Sequence, residues 1–176
     1  MTDSEAWLVL RAQSGDRHAL ETLLEGVQRP LHRYVVQLIG SRPSADDVLQ
    51  ETLMRIYRKL RWLDDPAVFR PWAYRIASRE AFRFLARQQQ SQARHVDDSG
   101  LDAMADTSPE VSDPGELDRL VEQASPASRA VLILHYRHDM TIDQVAAVLG
   151  IAPGTVKSRL AYGLRRLRET EKGRRS

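Results

Sequence analysis

A segment near the carboxyl end, residues 141–160, constrains the fold more than any other part of the chain. Thr141 and Gln144 have the spacing of a capping box, in which two side chains satisfy unpaired amides at a helix start. Gly150 stands where a helix can end on a left-handed residue, and Pro153 suits the first position of a second helix. The segment therefore predicts two helices joined by a tight turn.

The second of these helices is predicted to bury an apolar face and to expose a cationic one. The apolar face consists of Val156, Leu160, Leu164 and Leu167. The outward face consists of Thr155, Lys157, Ser158, Arg159 and Tyr162. Such a pair is typical of a helix-turn-helix, whose second helix enters the DNA major groove. An ordinary helical hairpin with a solvated charged face is the alternative.

Composition limits the class of protein. A chain of 176 residues suits one large domain or two small ones. The absence of cysteine excludes disulfides and thiolate metal sites and fits a reducing compartment. The start is acidic where a secretory signal would be basic, and no apolar run approaches the length of a membrane span. We therefore expect a cytoplasmic protein without membrane insertion.

The small net charge of +2 hides a segregated distribution. Residues 1–90 carry 14 Lys and Arg against 11 acids, whereas residues 91–116 carry one Arg against seven acids. Residues 117–176 are basic again, with 11 Lys and Arg against six acids. Two basic ends that flank an acidic middle suggest a polyanionic partner that binds at both ends.

Apolar residues recur at helical spacing almost throughout, and strand signals are nearly absent, which predicts an all-α fold. The predicted helices cover residues 4–14, 17–28, 31–39, 45–61, 70–88, 116–124, 126–138, 142–149 and 153–169. Between the two sets, residues 91–115 are rich in Asp, Ser, Pro and Gly, as flexible linkers are. We expect two small helical domains, residues 1–90 and 116–176, joined by this acidic flexible linker.

The predicted helix 70–88 combines cations with aromatic residues. Arg75, Arg79, Arg83 and Arg87 follow one another at four-residue steps, and Trp72, Tyr74 and Phe82 lie among them. Like charges at this spacing repel, and Glu80 can relieve only part of the repulsion through Arg83. Aromatic and cationic side chains together suit single-stranded nucleic acid. The alternative is that Trp72 and Phe84 belong to the core and that the arginines are merely solvated.

The predicted helix 45–61 has a different exterior, with a cap formed by Ser44 and Asp47. Its first half exposes the polar residues Asp46, Asp47, Gln50 and Glu51, and its second half is basic. Acids early and bases late complement the helix dipole, which is a sufficient structural explanation. An acidic surface that docks on a protein is the functional alternative.

The order of these motifs is specific. ADDVLQETLMRIYRKL, FRPWAYRIAS, an acidic linker, SPASRAVLILHY and TIDQVAAVLGIAPGTVKSRL follow one another along the chain. This order resembles that of bacterial RNA polymerase sigma factors of the small extracytoplasmic-function (ECF) group. The resemblance covers about residues 5–88 and 117–169.

The resemblance implies three binding surfaces. Helix 45–61 would dock on the clamp helices of the largest polymerase subunit through Asp46, Asp47, Gln50 and Glu51. Helix 70–88 and the loop before it, from Trp62 to Phe69, would open the −10 promoter element and bind its non-template strand. The residues that we assign to this surface are Trp72, Tyr74, Arg75, Arg79, Phe82 and Arg83. The helix-turn-helix would read the −35 element through Thr155, Lys157, Ser158, Arg159 and the neighbouring Tyr162.

The same resemblance implies core RNA polymerase, promoter DNA and an inhibitory anti-sigma factor as partners, with no cofactor, metal or enzymatic activity. The two promoter elements lie about 70 Å apart, at two helical turns. A relaxed linker of this length spans only about 25–30 Å. We therefore expect a chain that is compact when free and extended on the polymerase.

Two positions depart from the family pattern. Arg79 stands where the family commonly has Asn, which puts the −10 base preference in doubt. An Arg there suits a guanine or a phosphate. Ala152 stands where the family often has a Ser that caps the recognition helix. The missing cap weakens the helix start by about 1 kcal/mol, of which Pro153 should recover a part.

Two other classes of protein compete with this interpretation. A one-site transcription regulator with an N-terminal sensing or dimerisation domain explains the helix-turn-helix equally well, but not the arginine-rich helix or the acidic linker. A helical metal-dependent phosphohydrolase would use His135, His138 and Asp139. Those residues, however, fall at the end of a buried helix, where exposed polar residues are expected in any case.

Overall fold

The computed structural model describes residues 3–95 and 116–174, and within them the fold is all-α, as predicted. The helices are α1 (Asp3–Gln13), α2 (Arg17–Ile39), α3 (Arg42–Lys59), α4 (Phe69–His95), α5 (Glu116–Gln123), α6 (Pro126–Tyr136), α7 (Ile142–Leu149) and α8 (Pro153–Arg174). Two short 3-10 turns, Leu60–Trp62 and Pro66–Val68, connect α3 to α4. The predicted linker lies largely outside the described residues, although α4 extends into its first part.

Helix α2 is continuous through Pro30, so the prediction of two separate helices, 17–28 and 31–39, was wrong. A proline inside a helix removes one backbone hydrogen bond and usually bends or breaks it. Here the buried stripe continues on both sides of the proline, through Ala19, Leu23, Val27, Leu31, Tyr34, Val35 and Leu38. Burial of this stripe against the other helices outweighs the lost bond, which no local pattern around Pro30 reveals.

Helix α3 begins three residues earlier than predicted. Its N-cap is Ser41, and Pro43 lies in its first turn, so Ser44 is inside the helix and does not cap it. A proline in the first turn is also typical of a helix start, and α3 begins at the position that Pro43 indicates. The earlier start does not alter the predicted docking surface, because the polar residues from Asp46 onward still lie on α3.

Each half of the chain buries its own apolar residues. Helices α1 to α4 enclose Leu31, Tyr34, Ile56 and Phe69, which are almost completely buried. Helices α5 to α8 enclose the central run of α6, residues 131–134. This run is thus the buried centre of the C-terminal helices.

The two halves also pack on each other, because α4 contacts α7 and α2 contacts α6. A guanidinium nitrogen of Arg129 on α6 donates to the carbonyl oxygen of Leu38 on α2, at 3.2 Å. The ring of His138 packs edge-on against Tyr34, with centroids 5.9 Å apart. The described residues therefore form a closed arrangement in which one buried cluster continues from the N-terminal helices to the C-terminal ones.

Within residues 3–95 and 116–174, no helix combines the length and the hydropathy that a membrane span requires.

Candidate nucleic-acid interface

The helix-turn-helix has the local structure that its sequence predicts. The Thr141 hydroxyl accepts from the Gln144 amide at 3.2 Å, and the Gln144 side chain accepts from the Thr141 amide at 2.9 Å. Gly150 ends α7 in the left-handed conformation, with φ 67°, and α8 begins at Pro153. Two of the predicted inward residues of α8, Val156 and Leu160, are buried, whereas the side chains of Leu164 and Leu167 lie outside the described residues.

The outer face of α8 is accessible. Of the predicted −35 residues, Thr155, Lys157, Ser158 and Tyr162 are exposed. Arg159 is only partly exposed, because its guanidinium reaches back to the carbonyl oxygen of Ala127 on α6, at 3.4 Å. That contact holds the side chain across the first turn of α6. No side-chain cap is possible from Ala152, whose carbonyl accepts from the amides of Thr155 and Val156.

Helix α4 presents its arginines in one row. Arg75, Arg79, Arg83 and Arg87 are all exposed. The aromatic residues between them are less accessible than the arginines. Trp72 is partly buried and packs on Phe69, with ring centroids 6.1 Å apart, and Phe82 is also partly buried. Trp72 and Phe82 are therefore partly covered by core packing, whereas the arginines of the row are exposed.

Tyr74 departs furthest from the expectation of an exposed DNA-binding residue, since only 4% of it is exposed. Its hydroxyl forms a 2.8 Å hydrogen bond with Nδ1 of His138, and the centroids of the two rings lie 4.9 Å apart. Burial raises the pKa of Tyr74 to about 12. Burial also lowers the pKa of His138 to about 4, helped by the nearby charges of Arg33 and Arg137. Tyr74 and His138 therefore join the two halves of the chain through a hydrogen bond between two uncharged side chains.

The histidines of the phosphohydrolase alternative are used structurally. His135 forms a 2.8 Å hydrogen bond through Nδ1 with the carbonyl oxygen of Met140, while His138 pairs with Tyr74. Their side chains thus have different partners instead of one shared site. Among the described residues, no group of three His, Asp or Glu side chains is placed to hold a metal ion.

The predicted polymerase-docking residues are exposed along the first half of α3. Asp47 and Gln50 project freely, whereas Asp46 pairs with Nε2 of His32 at 2.8 Å. His32 belongs to α2, and it lies with Arg29 and Arg33 beside a cleft of about 590 Å³. The sequence interpretation missed this contribution of α2, because only tertiary packing brings α2 alongside α3.

Glu51, the last residue of this group, connects to the arginine row of α4. Its carboxylate lies 2.8 Å from Nε of Arg55, and the same Nε lies 3.1 Å from Oε1 of Glu80. Oε1 of Glu80 lies 2.8 Å from Nη1 of Arg83. The expected Glu80–Arg83 contact is present, but Arg55 shares the same carboxylate, which helix spacing alone does not indicate.

A second aromatic and cationic surface lies where α3 meets the loop from Trp62 to Phe69, and of its residues only Trp62 was predicted from the sequence to bind DNA. Tyr57 and Trp62 are exposed beside a cleft of about 580 Å³, together with Arg17, Arg58 and Arg61. The guanidinium of Arg61 lies 3.8 Å from the centre of the Trp62 ring. Gln13 holds the 3-10 turn in place by donating to the carbonyl oxygens of Leu60 and Leu63, at 2.9 and 2.8 Å. The basic residues of α3 and of the turn after it are the sequence feature that could have indicated this surface.

Two known protein families match this chain, one in each half. The family described as Sigma-70 region 2 matches residues 23–91, and the one described as Sigma-70, region 4 matches residues 115–167. The two matches fall on the helices that carry the arginine row and on the helix-turn-helix. The regions of a sigma factor thus occur here in their usual order.

Two ECF RNA polymerase sigma factors are similar to this chain in sequence. The ECF RNA polymerase sigma factor SigL of Mycobacterium tuberculosis is 37% identical over 150 residues, which cover 80% of this chain and 81% of SigL. SigM of the same organism is 27% identical over 164 residues, covering 93% of this chain and 83% of SigM.

Two solved structures share the fold. The sigma factor RpoE of Bartonella quintana, in complex with the anti-sigma factor NepR, has a TM-score of 0.69 at 23% identity and covers 86% of this chain and 96% of its own. CnrH, in complex with the cytosolic domain of CnrY, has a TM-score of 0.69 at 21% identity, with 97% and 99% covered. Our chain belongs to the ECF family of RNA polymerase sigma factors. The one-site regulator is thereby set aside.

Proposed function

We propose that this sigma factor docks on core RNA polymerase through the exposed face of α3 and binds the two promoter elements through α4 and α8. The observation that carries the proposal is the presence, on one chain, of an exposed arginine row and an exposed recognition helix. Asp46, Asp47, Gln50 and Glu51 form the docking surface. The chain contributes binding and duplex opening, while the polymerase contributes the chemistry of RNA synthesis.

For the −10 element, the surface we assign consists of Arg75, Arg79 and Arg83, supported by Trp72 and Phe82 at its edge. Arg79 lies in the middle of the row and is exposed, so its guanidinium is available to a base edge or a phosphate. Tyr74 joins this surface only after it separates from His138. For the −35 element, Thr155, Lys157, Ser158, Arg159 and Tyr162 face the major groove.

The closed arrangement has a consequence for promoter binding. The two elements lie about 70 Å apart along the duplex, whereas α4 and α7 are in direct contact in the described chain. Both elements cannot be bound while these helices touch. We therefore propose that the contact opens on the polymerase, with residues 91–115 as the extended connection between domains 1–90 and 116–176.

An anti-sigma factor is a further proposed partner. Two structures with this fold were solved in complex, one with an anti-sigma factor and one with a cytosolic domain of another protein, which supports a similar complex here. A partner that covers the exposed face of α3 would compete with the polymerase for the same residues. The place of action is the compartment of the polymerase, the cytoplasm.

Run-off transcription with purified core polymerase on a library of promoter fragments tests the main proposal. We expect initiation at a defined set of start sites, and a complete failure to initiate with active core polymerase contradicts the proposal. A gel-shift comparison adds a second criterion. Tight duplex binding by the chain alone, unchanged by core polymerase, would support a one-site regulator instead.

A further inference from the structure

A chain of four alternating charges joins the proposed polymerase-docking face to the proposed −10 surface. It consists of Glu51 and Arg55 on α3, followed by Glu80 and Arg83 on α4. The two ends are about half exposed, at 48% for Glu51 and 50% for Arg83. The central carboxylate of Glu80 is only 7% exposed. Both ends can therefore reach a partner, while the middle is held between two helices.

Each inner member of this chain serves two partners through a single atom. Nε of Arg55 faces the carboxylates of Glu51 and Glu80, and Oε1 of Glu80 faces the guanidinium groups of Arg55 and Arg83. Nε of Arg55 carries a single hydrogen, so a stronger contact with Glu80 weakens the contact with Glu51. The oxygen of Glu80 can accept from both guanidinium groups, but the closer Arg55 lies to it, the more of the carboxylate charge is neutralised and the weaker is its attraction for Arg83. The contacts therefore compete, and a change at Glu51 alters how strongly Glu80 binds Arg83.

We propose that Glu80 is a positioning residue that couples polymerase docking to the capture of the opened strand. Without polymerase, Glu80 holds Arg83 and lowers its availability to a phosphate. When a cation of the polymerase engages Glu51, Arg55 turns from Glu51 towards Glu80. Glu80 then releases Arg83, which is free to bind the strand.

This inference rests on the proposed function, since it takes Glu51 as a docking residue and Arg83 as a strand-binding residue. It adds a reason why the chain alone would bind DNA weakly. Thermodynamic linkage requires the reverse effect as well: strand binding at Arg83 strengthens polymerase docking at Glu51 by the same factor.

The chain offers a control ion pair at the start of α4, whose buried carboxylate resembles that of Glu80. Glu5 on α1 is also a buried carboxylate and pairs with Arg70 of α4 at 2.9 Å. Glu5 is not among the contacts of the four-charge chain. Glu5→Gln therefore changes the net charge and removes a buried ion pair of the same kind, without touching the proposed coupling.

The experiment measures binding of a short labelled oligothymidine strand to the full-length protein by fluorescence anisotropy, at one fixed salt concentration because phosphate binding depends on salt. The variants are Glu51→Gln, Glu80→Gln, their double mutant, Glu5→Gln and the double mutant of Glu5 with Glu80. We expect Glu51→Gln to tighten binding about two- to fivefold beyond Glu5→Gln, as expected for a part-exposed ion pair. In the Glu80→Gln background this extra gain should disappear.

The double-mutant cycle separates coupling from plain electrostatics, because independent charges contribute additively and coupled ones do not. Equal effects of Glu51→Gln and Glu5→Gln would overturn the proposal, and so would an unchanged effect of Glu51→Gln without Glu80. Absence of strand binding in all variants overturns it too. None of these results affects the proposed function, which is tested separately by initiation with the wild-type protein and core polymerase.

Discussion

The hydroxyl of Tyr74 on α4 is hydrogen-bonded to Nδ1 of His138, which follows α6, at 2.8 Å. The two residues are 64 positions apart, and their contact lies at the junction of the N-terminal and C-terminal helices. It involves a residue assigned to −10 binding and a histidine just before the helix-turn-helix. The contact therefore links the closed arrangement to both proposed promoter surfaces.

The closed arrangement should weaken as the pH falls from about 6.5 towards 4. The pKa of His138 is lowered to about 4 in the closed form, so the open form binds a proton more readily. The contribution of neutral His138 is fully present above its ordinary pKa and declines as the pH falls through that window. Energy transfer between dyes on the two halves of the chain measures the opening.

The control for this pH effect is His18→Gln, because His18 is exposed on α2 and takes no part in the contact with Tyr74. We expect His18→Gln to open with the wild-type pH profile and His138→Gln to lose the dependence in this window. An unchanged profile in His138→Gln would show that other groups control the opening.

Tyr74→Phe should destabilise the closed arrangement by about 1–2 kcal/mol, because Nδ1 of His138 loses its hydrogen-bond partner. Tyr34→Phe is the matched control, since the Tyr34 hydroxyl pairs with Ser78 at 2.8 Å inside the N-terminal helices. Both variants should lower the urea midpoint. Only Tyr74→Phe should increase the distance between the halves, and equal distances in the two variants would contradict the assignment.

Ala152→Ser should stabilise the C-terminal helices by about 0.5–1 kcal/mol. A Ser hydroxyl at this position can accept a hydrogen bond from an amide in the first turn of α8, where the amides of Thr155 and Val156 now donate to the Ala152 carbonyl. Thr141→Ala, which breaks the capping box, should destabilise by about 1 kcal/mol. Urea unfolding of the two variants, followed by circular dichroism, should give opposite signs.

Arg159→Ala and Lys157→Ala should differ in their effect on the −35 element. Loss of a base contact by Arg159 costs about 1–3 kcal/mol and relaxes the preference at one base pair, whereas loss of a phosphate contact by Lys157 reduces the salt slope by about 1. Initiation on promoters with a randomised −35 element distinguishes the two. The opposite pattern would exchange the roles of the two residues.

Arg79→Asn should shift the preferred base of the −10 element and leave the −35 preference unchanged. Arg79 is exposed in the middle of the α4 row, and its bidentate donors suit guanine. Sequencing of start sites from a randomised −10 library gives the answer. If the base preference stays the same and only the yield falls, Arg79 binds phosphate.

Local signals in the sequence determine much of this protein. The capping box at Thr141, the left-handed Gly150 and Pro153 specify the turn between α7 and α8 through contacts within a few residues. Helix periodicity likewise predicts Val156 and Leu160 inside and the arginine row of α4 outside, as the structure has them. Short-range hydrogen bonds and the 3.6-residue repeat act along the chain, so the sequence expresses them directly.

Only the tertiary structure decided which of these surfaces meet. Pro30 remains inside α2 because burial of the stripe outweighs a lost bond, and Tyr74 is covered because α7 packs on α4. The contact of Arg55 with Glu80 likewise requires two helices to lie side by side. Such contacts depend on the free energy of packing between residues that are distant in the chain. The spacing of residues along one helix does not indicate which other helix will pack against it. The sequence by itself therefore determined the helices and their exposed charged faces, and the tertiary structure decided how those faces are joined.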